Sequence, residues 1–260
     1  MIGAVLGDIA GSKWEFCPVS SYYKPSMKIW QRDSFYTDDT VLLAATRFAL
    51  RYNMSYAEAY KVFFDSYPDF SYGNNFKIWA RSQDPKPYNS YGNGSAMRVG
   101  FIGEYFDNEE KVIEEAIKSA ECTHNHPEGI KGAIGTAMCT FYGKQGKDKD
   151  FIGTYILNEL QYDIFESMEE LQEATKNDGC EETCQKTMPV ALSAFLLSTD
   201  YEDCIRKVLS VNCDTDTVAC IAGGIAENYY KKTIPFAELK IMHYVEEKNL
   251  REMILNRNMP

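Results

Sequence analysis

Apolar residues recur at intervals of three and four along nearly the whole chain, and no convincing period-2 segment longer than four residues appears. A period near 3.6 builds amphipathic helices, whereas a half-buried strand needs a period of 2, so the pattern predicts helices and excludes a large sheet. Residues 37–51 place Val41, Ala44, Ala45 and Phe48 on one face. Ser55 followed by Glu58 reads as a capping box that opens a helix running through Phe64. Residues 108–121 carry Val112, Ile113, Ala116, Ile117 and Ala120 behind an acidic first turn, which suits the positive end of the helix dipole. Pro127 and Pro189 each stand where a first-turn proline would open a helix, over 128–142 and 190–197. Segments 201–211, 215–231 and 235–254 complete the series. The expectation is an all-α fold, one domain over residues 1–260 in which many helices pack as a bundle.

Two stretches, 18–36 and 65–91, lack this periodicity and are rich in Ser, Tyr, Pro, Asn and Gly. Long loops inside a compact domain tend to carry function. Residues 143–150, with three lysines and two aspartates, read as a solvated turn. The net charge of −11 disfavours the backbone of a long nucleic acid as partner. No 18 apolar residues run together, so no membrane span is expected, and the apolar first ten residues have no basic segment and are interrupted by Asp8. Eight cysteines are too sparse for a disulfide framework. Cys139, Cys204 and Cys220 fall in apolar helical settings, and Cys180 and Cys184 read as ordinary thiols. These features point to a cytoplasmic, monomeric protein.

Two acidic clusters, Thr37-Asp38-Asp39-Thr40 and Asp214-Thr215-Asp216-Thr217, each open a predicted helix. Capping accounts for either one alone, because Asp and Thr satisfy the free N–H groups of a first turn. Brought together, four carboxylates would repel one another unless a cation lay between them, and an all-oxygen ligand set favours Mg²⁺, Mn²⁺ or Ca²⁺ over zinc or copper. Ser90-Tyr91-Gly92-Asn93-Gly94 can bring backbone N–H groups close to an anion, although most such turns only reverse the chain. Thr123-His124-Asn125-His126-Pro127 holds two of the three histidines without a zinc ligand set, which leaves His124 as a ligand contact or a structural histidine. Glu15, in Gly7-Asp8-Ile9-Ala10-Gly11-Ser12-Lys13-Trp14-Glu15-Phe16, is a candidate acid–base group or metal-tuning ligand.

Taken in this order, the five segments resemble the ADP-ribosylglycohydrolase family from about Gly3 to Glu227. The resemblance implies an orthogonal all-α bundle of that family's type, with two Mg²⁺ ions, or Mn²⁺, in a cleft. It also implies hydrolysis of the bond at C1 of the distal ribose, releasing ADP-ribose from a modified protein arginine or serine, or from a small conjugate such as an acetyl ester or a nucleobase adduct. By the same resemblance Thr37, Asp38, Asp39, Asp214, Asp216 and Thr217 are metal ligands, Asp216 a bridge, and Glu15, Asp38 and Asp216 the catalytic group. Ser90, Tyr91, Gly92, Asn93 and Gly94 match the loop that holds the diphosphate and ribose, and His124 a histidine on the adenosine side. Gly11 and Ser12 match a segment expected to serve packing. Asn212-Cys213 departs from the two glycines common before the last aspartate cluster, which would alter the turn or put a thiol beside the metals. The rival readings are a member of the same fold that binds ADP-ribose or serves structurally without catalysis, and a dinuclear-metal nucleotide phosphohydrolase.

Overall fold

A computed structural model describes residues 1–15, 26–177 and 181–255. Residues 18–25 of the first irregular stretch, Phe16 and Cys180 lie outside the described residues. In chain order the helices are α1 (Ile2–Gly11), α2 (Asp38–Tyr52), α3 (Tyr56–Ser66), α4 (Asn74–Arg81), α5 (Gly94–Met97), α6 (Gly100–Tyr105), α7 (Glu109–Glu121) and α8 (Pro127–Lys144). They continue with α9 (Lys149–Tyr155), α10 (Met168–Thr175), α11 (Cys184–Leu197), α12 (Tyr201–Val208), α13 (Thr215–Tyr230), α14 (Ala237–Tyr244) and α15 (Lys248–Leu255). The fold is all-α: among the described residues there is no strand, and Gly92 and Thr183 form an isolated antiparallel bridge.

The central contact joins α1 to α13. Every residue of α1 is buried, and Gly3, Gly7 and Gly11 recur every fourth position to leave one ridge of the helix without side chains. That ridge lies antiparallel on α13 so closely that a Cβ on Gly3 would sit 2.6 Å from the Gly223 carbonyl oxygen. The corresponding distances are 2.0 Å from Gly7 to the Ala219 oxygen and 2.4 Å from Gly11 to the Thr215 oxygen. Main chain therefore meets main chain, and the last turn of α1 is brought beside the first turn of α13. Helices α8, α11 and α12 also pack on α13, and one apolar core extends from Met1 to Ile254.

The expected helices form, with five differences, the first being that the helix expected over 201–211 ends at Val208. Pro189 lies inside α11 instead of opening it. The turn before it is held in place because the Cys184 N–H donates to the Tyr91 carbonyl at 2.9 Å and the Cys184 side chain is buried. The expected helix 235–254 is two, α14 and α15, because buried Val245 takes an extended conformation that lets Leu250 and Ile254 also reach the core. The irregular stretch 65–91 contains α4, whose Phe76, Trp79 and Ala80 are buried at helical spacing between loop-forming flanks. In 143–150, α8 continues through Lys144, with Gly143 against Tyr229, and α9 begins at Lys149, so the turn is confined to 145–148.

On an open helix Gly→Ala would add about 1 kcal/mol of stability. At Gly7 the added methyl meets the main chain of Ala219, so overpacking reverses the sign. Gly7→Ala is expected to destabilise by about 1–3 kcal/mol, read as a lower urea midpoint at unchanged slope.

Candidate active site

The α1–α13 contact sets the first half of the site. Glu15 follows the short 3-10 turn Ser12–Trp14 that continues α1, and Asp214 and Asp216 stand at the start of α13. One ligand oxygen from each of Glu15, Asp214 and Asp216 lies within 4.8 Å of the other two. Ser12 is a packing residue: its hydroxyl donates to the Ile9 carbonyl at 3.1 Å and accepts from the Phe35 N–H at 3.1 Å.

The second half is placed by Asp8, a buried carboxylate within an otherwise apolar helix. It accepts the Thr37 N–H at 3.0 Å and hydroxyl at 2.9 Å, the Thr40 N–H at 3.1 Å, and the Thr40 hydroxyl. Asp8 thus caps the start of α2 from another helix, while the Thr37 hydroxyl also accepts from the Asp39 N–H at 3.3 Å. This fixes Asp38 and Asp39 at the cavity that holds Glu15, Asp214, Asp216 and Thr217. The Thr217 hydroxyl donates to Asp39 Oδ1 at 3.4 Å, and Asp39 Oδ2 is buried without a partner.

A cavity of about 480 Å³ opens over these carboxylates. Ser90, Gly92, Asn93, Gly94 and His124 also line it. The glycine-containing loop is tied to the aspartates by Asn93, whose amide donates to Asp214 Oδ2 at 2.6 Å and to the Thr187 hydroxyl at 2.9 Å. The backbone holds it too, since the Asn93 N–H donates to the Glu182 carbonyl at 2.9 Å. Two residues of the expected set stand apart from the lining. The Tyr91 ring packs edge-on against His126 at 5.3 Å, and the Thr37 hydroxyl is occupied by Asp8 and the Asp39 N–H. Cys213 is buried ahead of α13 and does not line the cavity.

Several lining residues carried no role in the sequence reading. Phe76 and Tyr88 lie in the stretch expected to be irregular, Glu182 lies two residues before α11, and Arg98 follows α5. Asp8 did have a signal: a lone charge in an apolar helical run is costly unless something satisfies it.

Among the described residues no basic side chain pairs with Asp8, Glu15, Asp38, Asp39, Asp214 or Asp216. Burial pushes the Glu15 carboxyl up to about 8, with Asp214, Asp38, Asp8 and Glu182 adding repulsion. Burial and then Asp8 raise Asp38 to about 7. Asp39, Asp214 and Asp216 are raised for the same first reason, and neighbouring carboxylates add to the shift at Asp39 and Asp216. The converging oxygens of Glu15, Asp214 and Asp216, with no basic side chain paired to them among the described residues, fit a hard divalent cation.

The sequence model of the ADP-ribosylglycohydrolase family matches residues 1–253, and the chain belongs to that family. ADP-ribosylhydrolase ARH3 of Xenopus tropicalis is 25% identical over 303 aligned positions, covering 88% of this chain and 85% of that protein. ADP-ribosylhydrolase ARH3 of Gallus gallus is 28% identical over 183 positions, covering 54% and 50%. A solved structure described as an ADP-ribosylglycohydrolase-related protein complex superposes with a TM-score of 0.68 at 18% identity, covering 99% of this chain and 97% of that one. It shares the fold. Among the described residues no helix is long and apolar enough to cross a membrane.

Carboxyls with raised folded pKa bind protons more tightly folded than unfolded, so their contribution is full below the unfolded values and lost as pH rises through the folded ones. For Glu15, raised from 4.5 to about 8, and Asp38, raised from 3.8 to about 7, that loss spans the range from weakly acidic to weakly basic pH. In chelator, the melting temperature is expected to fall as pH is raised through this range. Added Mg²⁺ should restore it most at the upper end. A melting temperature that rose with pH in chelator would contradict the unpaired carboxylate cluster.

Proposed function

We propose that this protein is a metal-dependent hydrolase that releases ADP-ribose from a modified acceptor by cleaving the bond at C1 of the distal ribose. The observation that carries the reading is the meeting of Glu15, Asp214 and Asp216 in one cavity with Asp38, Asp39 and the 92–94 loop. Membership of the family supplies the substrate class.

Thr37, Asp38, Asp39, Asp214, Asp216 and Thr217 are the proposed ligands of two Mg²⁺ ions, with Mn²⁺ as the alternative; Thr37 would contribute its remaining lone pair. Such ions supply positive charge to hold the vicinal hydroxyls of the distal ribose and to acidify water. Asn93 keeps Asp214 in place through its 2.6 Å bond, so the loop and the acidic cluster hold one sugar diphosphate between them. Gly92 and Gly94 let the backbone approach the diphosphate, and His124 faces the same loop. Glu15, ionised once bound cations offset the neighbouring carboxylates, would take the proton of the attacking water. As the water oxygen bonds to C1, the bond from C1 to the acceptor breaks through an oxocarbenium-like state, and the acceptor leaves with its electron pair and gains a proton. The products are free ADP-ribose and the unmodified acceptor.

Incubation with Mg²⁺ and arginine-, serine- and acetyl-linked ADP-ribose tests this reading. Intact ADP-ribose from at least one substrate is the expected product. Release of AMP or phosphate would instead identify a phosphohydrolase, and no turnover with retained ADP-ribose binding would identify a binding protein. Glu15→Gln should lower the single-turnover rate by about 10²- to 10⁴-fold with ADP-ribose affinity largely kept. Asp216→Ala should lose more, together with cation binding by calorimetry.

A further inference from the structure

Arg98, at the end of α5, is wholly buried in the wall of the cavity. Its guanidinium lies 4.2 Å over the Tyr60 ring, and Nη2 donates to the Ser119 carbonyl at 2.7 Å and to the Thr123 hydroxyl at 2.8 Å. Nε and Nη1 have no partner, and among the described residues no carboxylate pairs with the group. A buried cation held without an anion is costly, which argues for a role beyond filling space.

Thr123 relays that charge. Its hydroxyl oxygen lies 2.7 Å from His124 Nδ1 and 3.4 Å from the Ala120 carbonyl. Arg98 occupies one lone pair of the hydroxyl, which leaves two arrangements. The hydroxyl donates to Nδ1 over the short 2.7 Å contact, or Nδ1–H donates to the hydroxyl while the hydroxyl donates over the longer 3.4 Å contact to Ala120; the proposal below takes the first, in which Nδ1 accepts. Hydrogen bonds in series polarise one another, and a cation donating into Thr123 makes that hydroxyl a better donor. A neutral imidazole carries one proton, which must then sit on Nε2. Nε2 is the nitrogen that borders the loop: a Cβ on Gly94 would be 3.3 Å from it, and one on Gly92 3.6 Å.

We propose that Arg98 and Thr123 are positioning residues that fix His124 as its Nε2–H tautomer, a standing donor to an oxygen of ADP-ribose held against residues 92–94. The ligand in this statement rests on the proposed function; the tautomer does not. Burial, with the charge of Arg98 adding to it, keeps His124 well below its ordinary pKa and so neutral. The Tyr88 ring, 5.8 Å from the imidazole, packs beside it.

The test is a long-range ¹⁵N–¹H correlation spectrum of histidine-labelled protein near neutral pH. The chain has three histidines, and the signal missing from His124→Gln assigns the one required. The expected spectrum shows Nε2 protonated and Nδ1 bare in the ligand-free protein. Thr123→Val should populate the other tautomer and weaken ADP-ribose binding roughly 2- to 10-fold, as loss of one hydrogen bond would, while Thr123→Ser should preserve both readouts. A proton on Nδ1 in the unaltered protein overturns the proposal, as does a folded Thr123→Val protein with unchanged tautomer and affinity. Should Thr123→Val not fold, the spectrum of the unaltered protein still decides. Failure of the unaltered protein to bind ADP-ribose would refute the proposed function and the ligand donation, leaving the tautomer to stand or fall on its spectrum.

Discussion

The site depends on main-chain contact between α1 and α13. Two helices that touch through Gly3, Gly7 and Gly11 cannot slide by a turn without driving side chains into backbone, so the register of α1 against α13 is set sterically. Residues more than two hundred positions apart in the chain are thereby fixed to within a few ångströms. Glu15 meets Asp214 and Asp216 because Gly11 rests on the Thr215 carbonyl and the backbone of Asp216. The same helix carries Asp8 to the first turn of α2. A single buried element therefore aligns the starts of two others, and both acidic clusters follow.

That alignment is electrostatically unfavourable in the protein alone. Asp8 is compensated by four hydrogen bonds from Thr37 and Thr40, so its charge is spent on building α2. The carboxylates at the cavity have much less. Asp214 receives Asn93, Asp216 receives the Thr217 N–H, and one oxygen of Asp39 receives nothing. Packing that holds such groups together must outweigh their repulsion, and a cation would supply what the side chains omit. The site is a place where fold stability and local electrostatics oppose each other, as functional sites often are.

Helix periodicity made the fold class legible, because each amphipathic face records its own burial. Ser55 and Glu58 form the capping box that their spacing implies, and Pro127 opens α8. What could not be read was information held by tertiary contacts. Pro189 continues inside α11 because a bond from Cys184 to Tyr91 extends the helix toward its start, and nothing in the local sequence announces that partner. The break near Val245 answers to two directions of core packing, which a one-dimensional pattern cannot separate. At the site, both aspartate clusters were visible as cap-like motifs, and their meeting was implied by family resemblance. Tyr91 shows the limit of carrying a motif over intact, since its ring packs on His126 outside the cavity while its neighbours line it.

Buried polar bonds run from helix α2 to the wall of the cavity that holds Arg98 and His124. Helix α2 presents Asp38 and Asp39 at its first turn and, two turns later, Thr46, whose hydroxyl lies 2.9 Å from that of Tyr60. The Tyr60 hydroxyl is 2.6 Å from that of Ser119, the Ser119 carbonyl accepts from Arg98, and Arg98 also donates to Thr123, next to His124. A wholly buried arginine needs this polar surround, since an apolar one would strand its charge. The consequence is a cavity lined by carboxylates and by neutral or cationic donors together. A ligand complementary to it presents both hydroxyls or a cation-binding group and acceptor oxygens. A sugar diphosphate carries hydroxyls as well as acceptor oxygens, and a simple phosphate only the latter.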